Sequence, residues 1–191
     1  MNRSPDDPRV QQTRCALLGA FNGLILHRSY ERIHVDDIAH DAGVGRSTFY
    51  EHFRNKDELF RHSVSAVLVP LADATTSHAG HGALAHMLQH VRQNIRATRA
   101  LLCGEPGVQV CRRLAELIEP RLVKRFASRG TAPLIPVPLV AAQIAEMQLG
   151  LLRAWLGNQH ECDAGTLADA IGDSSRAVAD SQRRPAAETR V

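Results

Sequence analysis

Between residues 43 and 60 the sequence reads GVGRSTFYEHFRNKDELF, and its polar side chains share one chemical capacity, hydrogen-bond donation to an anion. Arg46 and Lys56 carry permanent charge, Ser47, Thr48 and Tyr50 carry hydroxyls, and His52 carries a ring N–H. Such a set suits phosphate oxygens and base edges in a nucleic-acid groove. Covalent catalysis fits poorly, because no grouping of nucleophile, base and orienting residue is apparent anywhere in the chain, and no enzyme is expected. Gly45, just ahead of Arg46, keeps the start of the stretch slim enough to enter a groove, and Phe49 and Phe53, at i and i+4, supply an apolar anchor from behind.

Residues of these types act only if short helices hold them. Apolar residues recur at helical spacing in nearly every window and alternation is almost absent, so the chain is read as all-α, with no strand proposed. Residues 11 to 28 place Leu17, Leu18, Phe21, Leu24 and Ile25 on one stripe. In VDDIAHDAG, Val35, Ile38, Ala39 and Ala42 form the next, with Asp36 and Asp37 suited to the positive helix end and Gly43 as its stop. Residues 46 to 53 form a second short helix after a three-residue turn, and a further helix starts near Lys56 and bends at Pro70. Two brief helices joined in this way have the geometry of a helix-turn-helix.

The segment IHVDDIAHDAGVGRSTFYEHFRNKDELF resembles the TetR family of transcriptional regulators: an Ile-Ala helix, an Ala-Gly-Val turn, a Tyr-x-x-Phe recognition helix and a Lys-x-x-Leu start of the next. The resemblance covers about residues 11 to 62; beyond it lie only similar length, helical content and a late LLRAWL helix. It implies phosphate contacts at Tyr50, His52 and Lys56, base reading or backbone grip by Arg46, Ser47 and Thr48 behind Gly45, and a backbone contact at His34. It also implies an effector that enters the C-terminal body and changes the tilt of the helix at 56 to 76. His34 stands where the family often has Thr or Ser, Gly45 where Ser is usual, and Ser29 where a helix-ending Gly is usual. Glu51 is an unusual outward carboxylate, expected either to read a cytosine or to turn away.

Charge alone does not point to nucleic acid: the net charge is +3, and residues 1 to 62 hold nine Arg and Lys against nine Asp and Glu. No run of about 18 apolar residues and no apolar leader appear, so a cytoplasmic protein is expected. Cys15, Cys103, Cys111 and Cys162 lack CxxC spacing and are read as packed thiols rather than disulfides or oxidant sensors. His78, His81, His86 and His90 invite a metal, but His86 and His90 fall opposite the Leu84, Met87, Leu88, Val91, Ile95 stripe, so no metal and no cofactor are expected. Arg112, Arg113, Arg121, Lys124, Arg125 and Arg129 are read as a solvated face rather than an anion site.

The helix from about residue 137 to 156 carries two apolar stripes, and one core cannot cover both, so it and its successor near residues 163 to 178 are expected to form a symmetric four-helix interface. Met87, Val91, Ile144, Met147 and Leu151 either line a ligand cavity or fill the core, since both use the same residue types. The division predicted is a DNA-binding domain at 1–55, a helical effector-binding and dimerisation domain at 56–182, and a disordered tail at 183–191. The function predicted is a ligand-responsive repressor binding a double-stranded palindromic operator as a homodimer. The alternative is a helical small-molecule-binding protein with weak or vestigial DNA binding.

Overall fold

A computed structural model describes residues 7–77, 81–103, 106–157 and 162–185. The helices are α1 (Pro8–Leu24), α2 (Val35–Asp41), α3 (Arg46–His52), α4 (Lys56–Ala74), α5 (His81–Gln93), α6 (Ile95–Cys103), α7 (Gly107–Ser128), α8 (Val137–Gly157) and α9 (Ala164–Ser181), with a 3-10 turn at Tyr30–Arg32. Local chemistry explains their starts. Asp7 accepts from the Arg9 N–H with Pro8 in the first turn of α1, Asn55 accepts from Glu58 N–H at 2.8 Å, and Asp163 accepts from the N–H groups of Gly165 and Thr166. Phe21 meets Tyr30 and Phe60 edge-on at 6.3 Å between ring centroids, which fixes α1 against α4.

α4 joins two layers. It packs on α1 and also on α5, α7 and α9, so one continuous apolar core runs from Leu17 through Phe60 and Leu68 to Leu149. Pro70 lies inside α4 without ending it. In the body, α7 and α8 pack most extensively, and α8 buries Val140, Ile144, Ala145, Leu149 and Leu152.

Several expectations change. Two short strands exist, β1 (Thr131–Pro133) and β2 (Arg183–Pro185), paired antiparallel with Ala132 opposite Arg184. Residues 183–185 of the predicted disordered tail are therefore ordered by backbone pairing that three residues cannot advertise by periodicity; 186–191 lie outside the described residues. The single stripe read from Gly82 to Leu102 is two helices that part at Asn94. α1 ends at Leu24, and no non-glycine residue among those described takes a positive φ, so Ser29 is passed without a left-handed turn.

The basic helix is not a solvated face throughout. Arg125 is buried and donates to Thr76 O and Asp180, Arg129 joins it on Asp180, and Arg121 donates to Asp73 at 2.7 Å. Of the thiols read as packed, Cys111 is buried while Cys15 and Cys103 are exposed. Burial first, and the Glu146 carboxylate second, push the Cys111 thiol up to about 12. His86 and His90 face solvent, His81 lies 2.9 Å from Asp169, and His78 falls outside the described residues. Among the described residues no group of three or more His, Cys, Asp or Glu side chains could hold a metal ion.

Candidate nucleic-acid interface

The turn between α2 and α3 is built by backbone chemistry. Val44 N–H donates to Ala39 O at 2.9 Å and Gly43 N–H to His40 O at 3.0 Å, which satisfies the last carbonyls of α2. This closure needs a left-handed residue, and Gly43 supplies it at φ 67. Gly45 then stands in extended geometry at the N-cap of α3 and offers no side-chain cap.

α3 is held from behind by Phe49 and Phe53, both buried, with ring centroids 6.0 Å apart. Burying two such rings contributes about 1.5–3 kcal/mol each. Its other sides carry Arg46, Ser47, Tyr50 and Glu51 exposed, and Thr48 and His52 half-buried. The predicted residues Gly45, Arg46, Ser47, Thr48 and Tyr50 are therefore brought to one short helix and its cap.

The charged members are not free. Arg46 Nη1 donates to both carboxylate oxygens of Asp36, at 2.7 and 2.6 Å, and its guanidinium lies 5.7 Å from the centre of the Tyr50 ring. The Asp36 bond raises the Arg46 pKa further, so the side chain stays cationic. Lys56 Nζ donates to Tyr30 O at 2.7 Å and sits 4.1 Å from the centre of the Tyr30 ring. One ammonium proton is thereby spent inside the fold, leaving two. The Tyr30 hydroxyl in turn donates to Asp57, and burial first, then that bond, raise its pKa well above the usual phenol range.

At the start of α2 the Asp37 carboxylate accepts from the backbone of His34, the N-cap residue. Its N–H donates to Asp37 Oδ2 at 2.8 Å, and the imidazole stays exposed. This bond first, and the Arg28 guanidinium 2.9 Å away second, lower the Asp37 carboxyl's pKa below its usual value. His52 is pulled below the usual imidazole value by partial burial and then by Arg14. Asp36 and Arg14 escaped the sequence reading. Asp36 looked like an ordinary helix-start carboxylate, and Arg14, whose guanidinium stacks 4.8 Å from the Phe53 ring centre, sits on a different helix.

The five apolar ligand-site residues differ in burial. Met87 and Val91 of α5 and Ile144 of α8 are buried, Met147 is half-buried, and Leu151 is exposed at 36% on the outer side of α8.

Residues 18–62, spanning α2, the turn and α3, match the bacterial regulatory proteins of the tetR family. The helix-turn-helix segment of this chain is similar to that of TetR-family regulators. An uncharacterized HTH-type transcriptional regulator of Bacillus subtilis (strain 168), YxbF, is 34% identical over 71 residues, 37% of this chain. That stretch spans only 19% of the curated relative's own length. A TetR transcriptional regulator from Streptococcus agalactiae 2603V superimposes with a TM-score of 0.56 at 25% identity, over 87% of this chain and 95% of its own. NalD, the secondary repressor of the MexAB-OprM multidrug efflux pump in Pseudomonas aeruginosa, has the same fold, with a TM-score of 0.50 at 23% identity over 86% of this chain and 95% of its own. TetR-type architecture thus extends beyond the matched segment, through α4 into the helical body. No described helix is long and apolar enough to cross a membrane.

Proposed function

We propose that this chain is a transcriptional regulator that binds double-stranded DNA through α3, acts as a homodimer on a twofold operator, and is a repressor released by a small-molecule effector. The observation that carries the reading is α3 itself: Phe49 and Phe53 wholly inside, Arg46, Ser47 and Tyr50 outside. In this reading Tyr50, His34, His52 and the two remaining Lys56 protons grip phosphates, while Arg46, Ser47 and Thr48 read base edges beside Gly45. A DNA-binding role places the protein in the cytoplasm.

Dimerisation is supported by α8 and α9. Leu139 at 57% exposure, half-buried Met147, Leu151 and Ala154 leave an apolar strip on α8, and Ala170 and Ala177 leave a shallow one on α9. One α3 of seven residues reads too few base pairs alone, whereas a pair reads two half-sites. Leu151 belongs to this strip rather than to an effector cavity; Met87, Val91, Ile144 and Met147 remain the proposed apolar lining. Because α4 runs from the DNA-binding layer into the body, an effector that favours one tilt of α4 changes the separation of the two α3 helices.

Fluorescence anisotropy of the full chain with mixed chromosomal fragments at rising salt tests the DNA reading, and selection from random duplexes then finds the operator. Steep loss of affinity with salt supports it. The internal engagement of Arg46 and Lys56 favours the alternative of a helical ligand-binding protein with vestigial DNA binding, and a flat titration in dilute buffer would decide for that alternative.

A further inference from the structure

An open cavity of about 580 Å³, with no α3 residue among its lining, lies between the starts of α4 and α7, with Asp57, Arg61, Val108, Arg112, Arg113 and Glu116 among its lining residues. Its acidic groups are already satisfied: Asp57 accepts the Tyr30 hydroxyl, and Glu116 accepts from Arg113 Nη1 at 3.0 Å. Its cationic groups are not. Arg61 and Arg112 are exposed, and no side-chain hydrogen bond or ion pair involves either among the described residues. Arg113 Nε is buried with no acceptor among the described residues.

Two further features have the same sign. Pro106 at the N-cap of α7 makes no side-chain capping bond, and the N–H groups of the first turn, at the cavity wall, have no acceptor within their own helix by position. Val108 is 70% exposed there, an apolar surface beside two unpaired guanidiniums. The volume exceeds what one inorganic ion fills and lies in the range of about 300–1,000 Å³ that suits small organic ligands.

We propose that this cleft binds an organic oxyanion, a carboxylate or phosphate monoester on a short aliphatic chain, with its head between Arg61 and Arg112 and its chain across Val108. A guanidinium pairs two N–H donors with two oxyanion acceptors, which a neutral head cannot match. The ligand would touch α4 one turn beyond Lys56 and α7 at its start, and so bridge the DNA-binding layer and the body.

Calorimetric titration of the full chain, without DNA, with octanoate, octyl phosphate and 1-octanol tests the site; no DNA is present, so this proposal and the DNA-binding reading can fail separately. At least one anion is expected to bind about tenfold or more tighter than 1-octanol, and the two anions distinguish carboxylate from phosphate recognition. Arg61→Gln and Arg112→Gln should each weaken that anion about tenfold or more, with melting temperatures close to the parent's. Equal binding of 1-octanol, absence of anion binding up to about 10 mM, or parental affinity in both glutamine variants would overturn the proposal.

Discussion

Asp36 and Arg46 face each other across the helix-turn-helix, Nη1 to Oδ2 at 2.6 Å, with both side chains more than half exposed. An exposed pair of this kind contributes only about 0.2–1 kcal/mol to stability, so duplex phosphates can compete for the guanidinium. Asp36→Asn should leave the fold nearly as stable and tighten binding to mixed-sequence DNA about fivefold in dilute buffer, with the gain shrinking as salt rises. Anisotropy at two salt concentrations reads this. Weaker binding by the variant would show that Asp36 orients Arg46 rather than withholding it.

Lys56 has two partners in prospect, the Tyr30 carbonyl it already holds and a phosphate. Lys56→Met removes both. Loss of the Tyr30 contacts should cost about 1–2 kcal/mol in urea unfolding. Loss of a phosphate contact should lower the steepness of the salt dependence by about one unit. A stability loss with an unchanged slope would make Lys56 a structural lysine only.

Why some of this was legible and some not follows from where the information sits. Phe49 and Phe53 repeat at i, i+4, a local pattern, so α3 and its inward face could be read directly; so could α2 with its stop at Gly43. The Asp36–Arg46 pair could not, because residues ten apart meet only through the angle between two helices. Arg125 is similar: its carboxylate partner, Asp180, lies 55 residues on, and a guanidinium facing water or facing Asp180 leaves the same letters in the sequence. The break at Asn94 carries no Gly or Pro, and a pair of three-residue strands is too short for any period to register.

The two turn glycines should respond oppositely to substitution. Gly43→Ala places a Cβ in open space but at φ 67, so the cost is backbone strain alone, about 1–2 kcal/mol. Gly45 sits in the extended region, and an added Cβ would meet only ordinary contacts, the nearest 3.6 Å away at Ser47 Oγ. Gly45→Ser should therefore gain a few tenths of a kcal/mol from the N-cap hydroxyl. Thermal melts of the two variants check both signs, and stabilisation by Gly43→Ala would contradict the turn geometry.

His52 and His62 tie the stability of the first layer to pH. Partial burial first, and Arg14 second, hold both imidazoles below the ordinary value of 6.5. A depressed folded value means the unfolded chain binds protons first, so their contribution is present above 6.5 and is lost as pH falls through the folded values. Urea midpoints should drop between about pH 7 and pH 5, and His52→Gln with His62→Gln should flatten that drop. A double variant that loses stability as steeply as the parent would assign the effect to other groups.

Gln148 is wholly buried where α4, α8 and α9 meet. Its Nε2 donates to Leu71 O at 3.1 Å and to Ser175 Oγ at 2.8 Å, while Oε1 has no partner among the described residues. The two bonds contribute about 0.5–1.5 kcal/mol each, and the orphan oxygen costs about 1–3 kcal/mol, so the net value of this amide is close to zero. Gln148→Met keeps the length without the polar atoms and should stay within about 1 kcal/mol of the parent. Gln148→Ala should lose about 2–3 kcal/mol through the cavity it leaves, and Gln148→Glu more, because a lone carboxylate there must be buried charged or take up a proton. Urea unfolding of the three variants orders them. A methionine variant as unstable as the alanine one would mean that the hydrogen bonds to α4 and α9, and not the packing, hold this junction.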